Sequence, residues 1–385
     1  MNILHVIPAL DPVYGGPIVA LLGLVKAQAK LGDQIHVVAG TDLGSAQVQQ
    51  DMESGGVQVS MASSRRPTVA RCMQICRTID HALASAQIVH IHGLWQFVQT
   101  AAALQAKIQG IPYIIRPCGM LDTWSLSQRR ILKQLNLALI TGRLLSGASV
   151  LHATTEREKT EILKTALEHR VSVVPNGVED SAFTASANEL PEELQRLKDS
   201  HRLLLFLARV HPKKGLDVLL PAIAKVQTKS TILLIVGPRE PSYFEAIRRD
   251  IKRLGIEERV RFLEPMYGEA RFAAYSAAEL YILPSKQENF GITVAESMAL
   301  GVPVIVSPEV ALSDVVSGSN SGVVVPRDPE LIAQAIDELL DNDQLRLDMG
   351  RSGQLAAKQQ FQWSAIAERW QGIYASVIGT STPSP

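Results

Sequence analysis

Two carboxylates, Glu288 and Glu296, stand eight residues apart on either side of Phe290-Gly291 in the stretch Pro284 to Glu296. A carboxylate can accept from both hydroxyls of a diol, and a helix that opens just past a strand's carboxyl end turns backbone N–H groups toward an anion. This segment has the pattern for both. Leu280 to Leu283 reads as a buried strand, Gly291 permits a sharp turn, and Ile292 to Leu300 reads as a helix closed by Gly301. Glu288 then belongs to the loop and Glu296 to the helix about one turn in, so that phosphate and diol would be recognised side by side. Two glutamates at this spacing also occur on solvated helix faces. Here, however, the helix delivers a further apolar strand, Val304 to Val306, which places the loop where open α/β sheets bind ligands.

A second cluster is basic. Arg209-Val210-His211-Pro212-Lys213-Lys214-Gly215 follows the apolar run Leu203 to Leu207, and Gly215 opens the next helix. Arg209 can hold phosphate oxygens bidentately while Lys214 acts as a point charge on the same group; a solvated basic turn is the plain alternative. Gly237, after Val236, adds a close backbone approach at the next strand end. In the first half, Gly15-Gly16 occupies the first strand-to-helix turn. His90-Ile91-His92-Gly93-Leu94-Trp95 puts two imidazoles at alternate strand positions, and Arg116-Pro117-Cys118-Gly119-Met120-Leu121-Asp122 ends another strand on the same rim. A histidine in such a run is more often a satisfied core residue than a ligand.

The elements that must position these residues alternate along the chain. Short apolar runs at 3–7, 35–38, 88–91, 113–115, 150–152 and 171–174 interleave with helical patterns, and 203–207, 232–236, 260–263, 280–283 and 304–306 repeat the plan. That alternation is the mark of parallel sheets and an α/β fold. With 385 residues, the chain divides into a Rossmann-like domain over 1–180, a polar linker region over 181–200 and a second Rossmann-like domain over 201–360. A helix over 361–378, with Trp363, Ile366, Trp370, Ile373 and Tyr374 on one face, packs back toward the first domain, and 379–385 reads as a disordered tail.

Composition narrows the function classes. Lys plus Arg and Asp plus Glu both number 38, so no global charge points to nucleic acid, and any anion site must be local. Three cysteines make no disulfide framework and fit a reducing cytoplasm. Met1 to Pro8 lacks a basic export region and reads as a first strand, and no apolar run is long enough to span a bilayer.

In this order the motifs resemble the retaining glycosyltransferases of the GT-B fold, in particular the bacterial group that builds polysaccharides and lipopolysaccharide. The resemblance covers nearly the whole chain, from the Gly-Gly-Pro turn through Asn176-Gly177-Val178 to the paired glutamates. It implies two doubly wound Rossmann-like domains facing a central cleft. It also implies a nucleotide-diphosphate sugar, UDP- or GDP-linked, as donor and a glycan or lipid-linked molecule as acceptor. On this resemblance Arg209 and Lys214 grip the donor diphosphate, Glu296 binds the ribose and Glu288 contacts the transferred sugar. Backbone N–H groups near Asn289, Phe290, Gly291 and Thr293 serve sugar and phosphate. Gly15 and Gly16 approach the diphosphate from the other domain, and His92 faces the sugar ring. Arg116 and Asp122 fall on the acceptor side, where Cys118 departs from the basic or imidazole residue common in relatives.

The same resemblance implies retention by same-face attack with no metal and no cofactor beyond the co-substrate. Asp341-Asn342-Asp343 has an Asp-x-Asp pattern of the kind metal-dependent enzymes use, but helix-end turn chemistry accounts for it. A non-hydrolysing nucleotide-sugar epimerase and a non-catalytic nucleotide-sugar-binding module are the alternatives. The stretch from Trp124 to Arg143 mixes apolar and basic residues on a helical pattern. It reads equally as a peripheral seat on an anionic membrane, at the inner face of the plasma membrane, or as a core helix with a basic outer face.

Overall fold

The computed structural model describes residues 1–11, 15–40, 44–62, 68–165, 169–184, 190–228 and 230–381. Two compact units divide the chain, one made of Met1–Gly177 and the segment from Trp363 onward, the other of Val178–Gln362.

Runs of Val, Ile and Leu with few charges can be buried on both faces only in a parallel sheet covered by helices, and that is what each unit forms. In the first unit β1 (Asn2–Ile7), β2 (Gln34–Gly40), β3 (Gln58–Ala62), β4 (Ile88–His92), β5 (Tyr113–Arg116), β6 (Val150–Ala153) and β7 (Val171–Val173) stand in the order β3-β2-β1-β4-β5-β6-β7. The strand order reverses between β1 and β4. Side chains alternate between two apolar layers: Leu4, Val6, Val89, Ile91 and Leu151 lie in one, and Ile3, Ile7, Ile88, Ile114 and Val150 in the other. By that alternation His5, His90, His92, Arg116 and His152 share the second face. The register sets His5 beside His90 and His92 beside Arg116.

The helix Trp363–Ser381 covers this face. Trp363, Ile366, Trp370, Tyr374 and Val377 form its buried stripe, which packs with the helix Gly16–Lys30. The helix runs on to Ser381, so 379–381 are helical rather than a loose tail; 382–385 lie outside the described residues.

In the second unit β8 (Arg202–Leu207), β9 (Thr231–Val236), β10 (Val260–Leu263), β11 (Leu280–Leu283), β12 (Val304–Val306) and β13 (Gly322–Val324) stand in the order β10-β9-β8-β11-β12-β13, all parallel. The reversal falls between β8 and β11. The region expected as a linker, 181–200, is corrected by the structure. A short 3-10 turn, Asp180–Phe183, and a helix, Glu192–Ser200, bury Ala182 and Leu194 in the second unit's core, with Leu190 and Leu197 packed beside them; 185–189 lie outside the described residues. Leucines at this spacing give even a highly charged helix one apolar edge.

Candidate functional site

The loops that follow β8, β9, β11 and β12 are joined by backbone contacts. Lys286 N donates to Lys213 O at 2.8 Å, Val210 N to Pro238 O at 2.8 Å, and Ala311 N to Glu288 O at 3.0 Å. Two glycines make this closeness feasible. Gly215 has φ 89°, and a Cβ there would lie 1.9 Å from Pro284 O; at Gly237 a Cβ would lie 2.2 Å from Ala208 O. As a result, residues 74 positions apart meet: the Lys214 ammonium forms an ion pair with the Glu288 carboxylate, each side chain less than one-fifth exposed. Arg209 projects into solvent on the same loop. The imidazole of His211 is lowered below its ordinary pKa by burial and then by the Arg209 and Lys213 charges. The rim of this loop is therefore a local positive field in a chain of zero net charge.

The helix Ile292–Ala299 opens at Gly291, φ 95°. Phe290 is buried edge-on against Phe361, ring centres 5.7 Å apart, so its side chain anchors the turn while the backbone of Asn289 to Gly291 rounds the rim. Thr293 is also held, its hydroxyl accepting from Tyr281 Oη at 2.6 Å.

Glu296 lies deeper than its expected role at a ribose needs, at 2% exposure. Its Oε1 accepts from Arg271 Nε at 3.1 Å and Nη2 at 2.8 Å, and its Oε2 from Tyr275 Oη at 3.0 Å. Burial, the largest single effect, would lower the Arg271 pKa, but the charge and hydrogen bonds of Glu296 together with the nearby Glu179 and Tyr275 outweigh it and the net shift is upward. The Tyr275 phenol is raised, by burial first and then by Glu296. Reading the sequence misses Arg271 and Tyr275; their signal is a spacing of four on one helix face, Ala270–Ala277, one element upstream.

In the first unit Gly15, φ 81°, precedes the helix Gly16–Lys30. Arg116 is buried and donates to Asn176 Oδ1 at 2.6 Å. Asp122 caps the helix Thr123–Ser127, accepting from Ser125 N at 2.5 Å. That capping bond accounts for Asp122 without an acceptor.

His92, at the carboxyl end of β4, is one of a buried set. Its Nε2 lies 3.0 Å from His5 Nδ1; His5 Nε2 lies 2.9 Å from Gln28 Oε1; and Gln28 Nε2 donates to Tyr374 Oη at 3.2 Å. Tyr374 Oη lies 2.7 Å from His90 Nδ1, His90 Nε2 3.2 Å from His152 Nδ1, and His152 Nε2 2.8 Å from Val174 O. Burial lowers all four imidazoles, His5 to about 4 and the others well below the usual range. The ring nitrogens of His5, His90 and His92 come within 4.8 Å of one another, a spacing that could hold a cation. Five of those six nitrogens are already hydrogen-bonded, so the donors fit a neutral hydrogen-bonded chain better than a metal centre. The Asp341 to Asp343 pattern is a helix junction, with Asn342 capping Asp343–Gln360 and Asp343 paired to Arg346.

Two family models match the chain in tandem. The glycosyl transferase 4-like domain matches residues 15–177, and the glycosyl transferases group 1 domain matches residues 190–356. The chain belongs to the group 1 glycosyltransferases. Its GT-B architecture is shared with Anabaena HepE, solved in complex with UDP and glucose, at a TM-score of 0.81, 19% identity and coverage of 98% of this chain and 100% of that one. Among curated relatives, a D-inositol 3-phosphate glycosyltransferase of Corynebacterium efficiens is 30% identical over 66% of this chain and 61% of its own length. A GDP-mannose:cellobiosyl-diphosphopolyprenol alpha-mannosyltransferase of Xanthomonas campestris is 24% identical over 99% of this chain and 98% of its own. The loops that carry Arg209, Lys214, Glu288 and Glu296 all fall within the group 1 match.

Proposed function

We propose that this group 1 glycosyltransferase moves a sugar from a UDP- or GDP-linked donor to a glycan or lipid-linked acceptor in cell-surface polysaccharide synthesis, with retention of configuration and without a metal. The observation that carries the reading is the Lys214–Glu288 pair at the topological switch point, next to Arg209 and the start of Ile292–Ala299. Departure of a nucleotide diphosphate concentrates negative charge on phosphate oxygens, and fixed cations with helix N–H dipoles stabilise that charge as it develops. Lys214 and Arg209 would take the diphosphate, and Glu288 the hydroxyls of the transferred sugar. Glu296 would reach the ribose with the lone pair that Tyr275 leaves on its Oε2. Names of relatives support both halves of the reading, a GDP-linked donor with a diphosphopolyprenol acceptor in one and bound UDP in another.

The same reading seats the protein on the membrane that carries a lipid-linked acceptor. Trp124, Ile131, Leu132, Leu135, Leu139 and Ile140 are exposed, interleaved with Arg129, Arg130 and Arg143, and no carboxylate occurs from 123 to 155. No helix among the described residues is long and apolar enough to cross a membrane, so the contact is peripheral.

Incubation with labelled UDP- and GDP-sugars, with and without polyprenyl-diphosphate-linked acceptors, tests the proposal. Acceptor-dependent transfer with the donor's anomeric configuration preserved is expected, undiminished by excess chelator. Inversion refutes retention, and activity abolished by chelator and restored by Mg²⁺ or Mn²⁺ refutes metal independence. Epimerised donor without acceptor would establish the epimerase instead, and binding without turnover the silent module.

A further inference from the structure

The imidazole set of the first unit has a direction, and one atom fixes it. Val174 O can only accept, so His152 Nε2 carries a proton; a neutral His152 then offers Nδ1 as an acceptor, which requires a proton on His90 Nε2. His90 Nδ1 is in turn an acceptor, and the single Tyr374 hydroxyl proton goes to it. Having given that proton away, Tyr374 Oη can only accept from Gln28, which turns the Gln28 amide so that its Nε2 faces the phenol and its Oε1 faces His5. His5 Nε2 is therefore protonated, His5 Nδ1 accepts, and His92 Nε2 donates to it. No link is left free to reverse. The chain ends on His92 Nδ1, a buried lone pair with no hydrogen-bond partner among the described residues.

An acceptor left buried and unpaired carries a desolvation cost that a ligand donor at that atom would recover. We propose that this one-way chain, begun at the Val174 carbonyl and carried through the C-terminal helix by Tyr374, holds His92 as a neutral Nε2–H imidazole whose Nδ1 accepts a hydrogen bond from a hydroxyl of the bound sugar. His5, Gln28 and Tyr374 are its positioning residues. The catalytic consequence rests on the glycosyltransferase reading; the chain itself does not. An imidazole locked this way is a hydrogen-bond acceptor at neutral pH and not a general acid. It selects a donor group at that point of the sugar, and an analogue with the hydroxyl removed leaves the acceptor unpaired again.

Long-range proton–nitrogen NMR on the full chain labelled in histidine separates protonated from unprotonated ring nitrogens. At neutral pH His5, His90, His92 and His152 are all expected as Nε2–H tautomers; a Nδ1–H tautomer or an imidazolium at any of the four overturns the chain. Tyr374→Phe keeps the ring stacked on Trp370 but frees the Gln28 amide to turn over, so His5 and His92 should gain Nδ1–H population while His152 keeps its own tautomer. Gln28→Met cuts the chain at the neighbouring link as a second variant. Unchanged tautomers in both refute the part given to Tyr374 and Gln28. With transfer assayed in parallel, Tyr374→Phe should lower kcat roughly three- to tenfold, with KM for the donor changed less. Cut tautomers with unchanged kcat would remove the positioning role alone. Absence of transfer in the wild-type protein would remove the glycosyltransferase reading, and the ring spectra would still decide the chain.

Discussion

At the scale of single residues, the two glutamates that look equivalent in the sequence have different jobs. Glu288 is a rim carboxylate matched to one lysine, while Glu296 is a buried one held by Arg271 and Tyr275. Removing one member of a buried pair strands its partner's charge, at about 3–5 kcal/mol. Glu296→Ala should therefore lower the urea midpoint and the melting temperature as well as weaken nucleotide binding, with Glu296→Gln milder in both; a variant as stable as the wild type contradicts the burial argument. Lys214→Ala and Glu288→Ala should cost little stability. Each should nonetheless reduce kcat/KM about 10- to 150-fold, the worth of one charge-assisted hydrogen bond in the transition state, and a twofold change would remove them from the chemistry. The candidate residues of these loops stood out in the sequence because Arg209, Lys214, Glu288 and Glu296 are chemically distinctive types near glycines at strand ends. Arg271, Tyr275 and the partners of His92 did not. Gln28, His152 and Tyr374 come from three distant elements, and only β-pairing and helix docking bring them to one place.

At the scale of elements, the long apolar strands could be read from composition, but two of the four edge strands, β3 and β13, could not. Gln58–Ala62 carries Gln and Ser among its five residues, and Gly322–Val324 is three residues long. Neither has a run of buried side chains to give it away. The stretch from 123 to 147 defeats the single-helix expectation for a different reason. Arg129, φ 53°, breaks it into Thr123–Ser127 and Arg130–Asn136, and a π-turn, Leu137–Thr141, rotates the next face before Gly142–Gly147. The protein should sediment with vesicles containing phosphatidylglycerol and stay in solution with phosphatidylcholine alone. Ile131→Asp with Leu135→Asp should abolish sedimentation, since each inserted side chain contributes up to about 1.5–3 kcal/mol. Arg129→Ala with Arg130→Ala should weaken it by an order of magnitude or more, at about 1 kcal/mol for each charge near an anionic surface. Equal binding to both lipids would remove the basic residues from the explanation.

At the scale of the whole molecule, the buried imidazoles link stability to pH. In the unfolded chain a histidine titrates near 6.5, whereas His5 is held to about 4 and His90, His92 and His152 are displaced in the same direction, by burial first; for His90 and His92 the neighbouring imidazoles and Arg116 add to the shift. A depressed folded-state pKa means that below about pH 6.5 the unfolded chain binds protons the folded one refuses, so stability is fully present above that pH and falls as acid is added. For His5 alone the loss by pH 5 is about 2 kcal/mol, and the other three act with the same sign. Free carboxyl groups titrate near 4, so the window from about 6.5 to 5 belongs to the histidines. Urea unfolding followed between pH 8 and 5 should show a plateau above about 7 and a steep decline below 6.5, and His5→Gln should flatten the slope by about one proton. A midpoint that stays constant down to pH 5 would mean that these imidazoles are not neutral and buried together, and it would take the one-way chain through Tyr374 with it.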